Sequence, residues 1–268
     1  MPLRFGAMNN PDRDVVEELR ELLSLELDYV ELTVEWPGAH LKRVSSVTSE
    51  IKKVLASWDS DLVLHAPWYL EIASPYEGVR SGALKYAEAL IDLAAELEVP
   101  FITIHPYTPG WLSRHREEAK KLNLEAFRHL VDASRAAGVR IHVENVDHGA
   151  FSSVSDIMYL LNSLPELGLT YDIGHSYLGG VEKALSYIEK AASRILHVHA
   201  HDNFGKSDEH VPIGAGRVPW RRILAALKRI GYDGTVTLEI HSSDIEYIAV
   251  SRRKFLEYWE SAEEVSSG

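Results

Sequence analysis

Eight short runs rich in β-branched residues or leucine recur along the chain, and each is followed by a stretch with helical periodicity. Such alternation predicts parallel strands joined by crossover helices. The strands are expected at Leu3 to Met8, Asp28 to Val34, Leu62 to Ala66, Phe101 to His105, Arg140 to Asn145, Leu167 to Ile173, Ile195 to His201 and Val236 to His241. With a helix in each interval, the 268 residues are expected to form a single α/β domain, a (β/α)₈ TIM barrel, over residues 1–268.

Composition limits the classes of function. The longest apolar runs fall short of the ~18 residues of a membrane span, and the N-terminus has no secretory pattern, which predicts a cytoplasmic protein without a membrane partner. The net charge of −12 argues against a nucleic-acid partner without excluding one, since a local basic rim can coexist with an acidic whole. Because the chain has no cysteine, any metal must be bound by His, Asp or Glu.

The two faces of the predicted strands differ in chemistry. Side chains alternate along a strand, so one parity lies under the helices and the other faces the barrel interior or mouth. The helix-facing parity is apolar throughout, and Leu196 and Val198 are its members on the seventh strand. The inward parity carries Glu31, His65, Thr103, His105, His142, Glu144, Thr170, Asp172, His197, His199, Thr237 and Glu239. Converging carboxylates repel one another unless a cation lies among them, so this pattern predicts a divalent-metal site at the mouth.

The strand-end motifs resemble a known superfamily. They are "LHAPWYLEIASP", "ITIHPYTPG", "HVENV", "LTYDIGHSYLG", "LHVHAHDNFGKSDEHVPIGAGRVPW" and "VTLEIH". In this order, one per strand, they are similar to those of xylose isomerase-like barrels, which include sugar isomerases, sugar epimerases and endonuclease IV. The resemblance is most specific from the third strand to the eighth.

The resemblance implies a set of metal ligands. Glu144, Asp172, His199 and Glu239 match the metal site of the ketose 3-epimerases. Five further residues match the additional ligands that let endonuclease IV hold three zinc ions: His65, His105, His175, Asp208 and His210. The metal count is therefore open between one and three, and imidazole and carboxylate ligands suit Zn²⁺ or Mn²⁺.

The leading hypothesis is a metal-dependent isomerase or epimerase of a sugar or sugar phosphate. Glu144 and Glu239 are expected to act as acid and base, and His175 to orient a hydroxyl. Trp68 and Tyr107 are candidates for packing against the sugar ring. Lys206 and Arg217 are the nearest candidate cations for a substrate phosphate.

Two alternatives remain open. An apurinic endonuclease is favoured by the full ligand set, but "VENVDHGAFSS" lacks the small-residue stretch of endonuclease IV, and "HAHDN" departs from its "HLNDSK"-like turn. The ketose 3-epimerases, for their part, have a substrate-contacting Arg where this chain has "NFGK". The second alternative is a catalytically silent barrel that only binds metal or ligand, which the presence of both glutamates disfavours.

Overall fold

The computed structural model describes residues 3–262, in which eight parallel strands close into a barrel in chain order. The strands are β1 (Arg4–Met8), β2 (Tyr29–Thr33), β3 (Asp61–His65), β4 (Phe101–Ile104), β5 (Arg140–Glu144), β6 (Gly168–Asp172), β7 (Ile195–Ala200) and β8 (Thr235–Leu238). Pairing of β1 with β8 closes the barrel. The predicted fold class is confirmed, but β8 is shorter than expected, so Glu239 lies just beyond its end.

The helices outnumber the eight predicted. They are α1 (Val15–Leu23), α2 (Leu41–Ser45), α3 (Thr48–Trp58), α4 (Glu77–Glu96), α5 (Arg116–Arg135), α6 (Val154–Ser163), α7 (Ile173–Tyr177), α8 (Val181–Ala191), α9 (Trp220–Arg229) and α10 (Glu246–Ser261). The short helices α2 and α7 are additions within strand-to-helix connections, where one turn is too brief to show periodicity. Among the helices within residues 3–262, none is long and apolar enough to cross a membrane.

The apolar parity lies under the helices, with one correction on β7. Val30, Leu64 and Val198 are among the fully buried residues of this layer. Leu196 was expected there too, but it is only half-buried. The reason is a register shift, since Leu169 pairs with Ile195 while the next residue of β6 pairs with His197. The extra residue on β7 leaves Leu196 without a place in the regular layer.

A packed layer fills the barrel below the mouth. Tyr29, Val63 and Phe101 form a core cluster of their own, and the ring of Phe101 stacks on His142 with centroids 4.2 Å apart. Gly6 leaves room for Tyr29, because a Cβ at Gly6 would overlap the tyrosine ring. This layer gives the inward side chains above it a rigid floor.

Asp202 anchors the long connection from β7 to α9, residues 201–219. Its buried Oδ1 accepts hydrogen bonds from the backbone N–H groups of Asn203 and Val218, at 2.9 and 3.0 Å. Its Oδ2 accepts from Gly214 N and from Trp220 Nε1, both at 2.9 Å. The connection that carries Asp208 and His210 is therefore tied to the end of the barrel wall.

We expect Asp202→Asn to destabilise the protein by about 3 kcal/mol. Four donors bind the two carboxylate oxygens of Asp202, and an asparagine side chain has only one acceptor oxygen. Urea denaturation followed by circular dichroism measures the change. The control is Glu182→Gln, which removes an exposed ion pair with Arg222 and should cost less than about 1 kcal/mol. Equal midpoints for the two variants would contradict the anchoring role.

Candidate metal centre

Four residues from successive strand ends meet at the C-terminal mouth. Glu144 ends β5, Asp172 ends β6, His199 lies in β7 and Glu239 follows β8. Each offers a ligand atom, and these atoms all lie within 4.8 Å of one another. Glu144, Asp172 and His199 are buried, and the Glu239 side chain is 13% exposed. The residues predicted as principal ligands thus converge on one position, which we call the mouth site.

The mouth site contains buried polar atoms without hydrogen-bond partners. They are His199 Nδ1, Asp172 Oδ2 and Glu239 Oε2. They lie together, with His199 Nδ1 3.3 Å from Glu239 Oε2 and 3.9 Å from Asp172 Oδ2, and leaving a buried polar atom without a hydrogen bond costs about 1–3 kcal/mol. A divalent cation would satisfy all of them, so the residues fit the predicted metal.

Glu31 holds the His199 ring in the orientation that a metal ligand needs. Both Glu31 carboxylate oxygens lie 3.1 Å from His199 Nε2, and one also lies 2.9 Å from His197 Nε2. With its Nε2–H donated to Glu31, His199 has its Nδ1 lone pair free for the mouth site. The sequence pattern predicts that Glu31 faces inward, but it does not predict that Glu31 orients a ligand ring of the mouth site.

Two histidines extend the site on one side. His65 Nε2 and His105 Nε2 each lie 3.1 Å from Glu144 Oε2. His65 Nδ1 donates to the carbonyl of Ala66 at 2.6 Å, which leaves its Nε2 lone pair toward Glu144. Glu144 is therefore shared between this pair and the mouth site, as a bridging ligand would be.

A second group lies on the other side. Asp208 Oδ2 is 3.1 Å from His175 Nε2 and 2.8 Å from His210 Nε2. His201, absent from the predicted ligands, joins this group with its Nε2 3.3 Å from Asp172 Oδ1 and 3.5 Å from Asp208 Oδ1. All nine predicted ligands are thus neighbours, and His201 is an addition that the inward parity of β7 could have revealed.

Neighbouring imidazoles stabilise the ionised form of the carboxylates at the mouth site. Burial opposes ionisation of Glu144, but the charges of His105 and His199 outweigh it and hold the pKa of Glu144 well below its usual value. Burial likewise opposes a low pKa at Glu239, where His210 and His199 prevail. Each carboxylate needs a positive partner, which is either an imidazolium or a metal.

The four predicted substrate contacts lie outside these clusters. Trp68 is 62% exposed after β3, and the Tyr107 hydroxyl donates to Glu71 Oε2 at 2.8 Å. Burial and Glu71 together raise the pKa of Tyr107 to about 12, so the hydroxyl keeps its proton. Lys206 and Arg217 are exposed in the β7–α9 connection. Their contacts with a substrate stay predictions.

Fold and site together define a (β/α)₈ barrel with a carboxylate and imidazole cluster at its mouth. The sequence pattern of the xylose isomerase-like TIM barrel family matches residues 19–259, and the chain belongs to this family.

Several proteins are similar to this chain in sequence or in structure. The chain is 32% identical to protein MJ1311 of Methanocaldococcus jannaschii, over 77% of this chain and 73% of the relative. It is 24% identical to L-ribulose-5-phosphate 3-epimerase UlaE of Salmonella paratyphi B, over 94% and 91%. A solved D-tagatose 3-epimerase-like protein superposes with a TM-score of 0.86 at 27% identity, covering 97% of this chain and 98% of that one.

Removing divalent metal should destabilise the protein, because the clustered buried ligands then lose their common partner. At a free metal concentration about 100 times Kd, binding adds about 2.7 kcal/mol. For a chain of this size that raises Tm by about 5–10 °C. Calorimetry of chelator-treated protein with and without added Zn²⁺ or Mn²⁺ measures the shift, and K⁺ at equal ionic strength is the control. Identical melting in all samples would contradict a metal centre.

Proposed function

We propose that this protein is a divalent-metal-dependent epimerase that inverts C3 of a ketose or a ketose phosphate. The observation that carries the proposal is a pair of carboxylates that reach the mouth site from two separate strand ends, Glu144 from β5 and Glu239 from the residue after β8. Support comes also from the two relatives whose names specify 3-epimerases.

The cation at the mouth site, Zn²⁺ or Mn²⁺, would be held by Glu144, Asp172, His199 and Glu239. When bound, it would polarise a ketose carbonyl and its neighbouring hydroxyl and so acidify the adjacent C–H. The residues at the site are suited to a small polyol, because the wall between the ligands is made of imidazoles and carboxylates that accept and donate hydrogen bonds.

Glu144 and Glu239 would exchange protons with the substrate carbon. Epimerisation breaks a C–H bond on one face and forms one on the other, so it needs a base and an acid on opposite sides. Each cycle takes one proton and returns one, with no net oxidation. Because neighbouring imidazoles keep the pKa of both carboxyls low, both are ionised before the reaction, and the one that donates on the second face would first take its proton from solvent.

The remaining substrate contacts belong to the same proposal. Trp68 and Tyr107 would pack against the sugar, and Lys206 or Arg217 would bind a phosphate if the substrate carries one. The proposal also includes a cytoplasmic location and a small-molecule substrate as the partner. His175 is predicted to orient a substrate hydroxyl. Its imidazole already lies beside Asp208, however, which favours a contact with that carboxylate instead.

An apurinic endonuclease is the second candidate, because all nine residues that match the endonuclease IV ligands are neighbours in this structure. The charges argue against it. Arg13 pairs with Glu18 at 2.7 Å, Arg43 with Asp14 at 2.6 Å and Arg116 with Asp156 at 2.6 Å. Arginines that already have carboxylate partners release fewer counterions from a DNA backbone, which disfavours duplex binding.

The proposal is tested by proton exchange in D₂O. With metal-loaded protein and a panel of ketoses and ketose phosphates, NMR should show one deuterium incorporated at C3 together with the C3 epimer. Glu144→Gln and Glu239→Gln should each lower kcat by about 10²–10⁴-fold, since an amide cannot accept the proton. The surface variant Glu182→Gln should retain the full rate.

Metal content must be measured in each variant, because both glutamates are also candidate ligands. A variant that retains metal but has no exchange supports the acid–base role. Cleavage of abasic-site duplex DNA without turnover of any sugar would replace this proposal with the endonuclease, and full activity of both variants would end it.

A further inference from the structure

His197 is a buried histidine to which neither the metal ligands nor the proposed reaction gives a role. It lies in β7, two residues before His199, and its side chain is fully buried below the mouth. Its ring rests on the packed layer that fills the barrel, with centroids 5.0 Å from Phe101 and 6.1 Å from Tyr29. A ring enclosed in this way keeps one orientation, so each of its nitrogens has a fixed neighbour.

Both nitrogens of His197 have hydrogen-bond partners. Its Nδ1 lies 2.7 Å from Thr235 Oγ1, at the start of β8, and its Nε2 lies 2.9 Å from Glu31 Oε2. Because an ionised carboxylate can only accept, the His197 Nε2 carries the proton of the contact with Glu31. The ring is therefore held by β8 at one nitrogen and donates to the Glu31 carboxylate with the other.

Glu31 is held in turn by two histidine rings. Its carboxylate is fully buried, and within residues 3–262 its hydrogen bonds come from His197 and His199. Oε2 lies near both rings, 2.9 Å from His197 Nε2 and 3.1 Å from His199 Nε2, whereas Oε1 lies 3.1 Å from His199 Nε2 alone. A buried carboxylate that loses one of two donors is strongly destabilised. The contact with His197 therefore fixes the plane in which Glu31 meets His199.

We propose that His197 is a positioning residue for the metal centre and that it acts through Glu31. Thr235 holds the His197 ring, and the ring holds the Glu31 carboxylate. Glu31 then binds Nε2 of His199, whose Nδ1 faces the mouth site. His197 is not one of the four mouth-site ligands, so its effect on the cation is indirect. Residues that orient a ligand ring in this manner set the affinity for the metal and the geometry around it.

The proposal links the packing below the mouth to the metal centre above it. The Tyr29 hydroxyl lies 2.9 Å from Thr237 Oγ1, which is 3.2 Å from His197 Nε2, so side chains of β2, β7 and β8 meet around this ring. The packed layer thus positions a ligand as well as filling the barrel. This inference rests on the metal dependence in the proposed function and not on the epimerisation, because metal affinity is measured without any turnover.

Zinc affinity in a chelator competition tests the positioning role. In His197→Asn the amide is too short to reach Glu31, whereas in His197→Gln it extends to the position of Nε2. We expect zinc affinity to fall about 10–100-fold in His197→Asn and to stay within about 3-fold of the wild type in His197→Gln. His197→Leu, which has a similar volume and no donor, is the second variant in case His197→Asn does not fold. The matched control is His142→Asn, since His142 also faces inward and stacks on Phe101 but has its Nδ1 near Thr170; it should keep the full affinity.

A double-mutant cycle distinguishes an action through Glu31 from general destabilisation. His197→Asn should weaken zinc binding in the wild type but change it by less than about 3-fold in a Glu31→Gln background. In protein loaded with Co²⁺, the visible absorption should change in His197→Asn and stay the same in His142→Asn. At saturating zinc the ion count per chain should equal that of the wild type, because His197 is not a ligand.

Three results would overturn the positioning role: unchanged affinity in both His197→Asn and His197→Leu, an equal loss of affinity in the two backgrounds, or a lower ion count at saturation. A wild-type protein that binds no zinc would overturn the metal centre and this inference together. Loss of epimerase activity alone bears on neither, so the two proposals fail separately.

Discussion

Glu31, Glu144, Asp172 and Glu239 bring four carboxylates to the same end of one barrel, and three of them are almost wholly removed from water. Burying ionised groups at this density is prohibitive unless each has a positive or hydrogen-bonding partner. The structure surrounds them with imidazoles, yet buried oxygens of Asp172 and Glu239 have no hydrogen-bond partner. The mouth is therefore organised around a positive charge that the protein's own side chains supply only in part.

The histidines are held in a way that prepares them for that charge. Rings at the mouth use one nitrogen to bind a fixed acceptor, which is a backbone carbonyl for His65, His175 and His210 and the Glu31 carboxylate for His199. The second nitrogen then faces the cluster. Because the acceptors belong to strand β2 and to residues that directly follow other strands, the rings need little reorganisation when a ligand arrives.

Much of this arrangement could be predicted because a strand has a simple periodicity. Eight alternating runs indicated the barrel, and inward parity indicated Glu144, Asp172 and His199. The same rule applied two residues further would have found His201. The register shift at Leu196 and the short helix α7 depend on pairing between strands and on loop packing, which no local pattern records. The positions of Asp208 and His210 depend on the way Asp202 binds the backbone of Gly214 and Val218 farther along the same connection, and sequence spacing alone cannot give them.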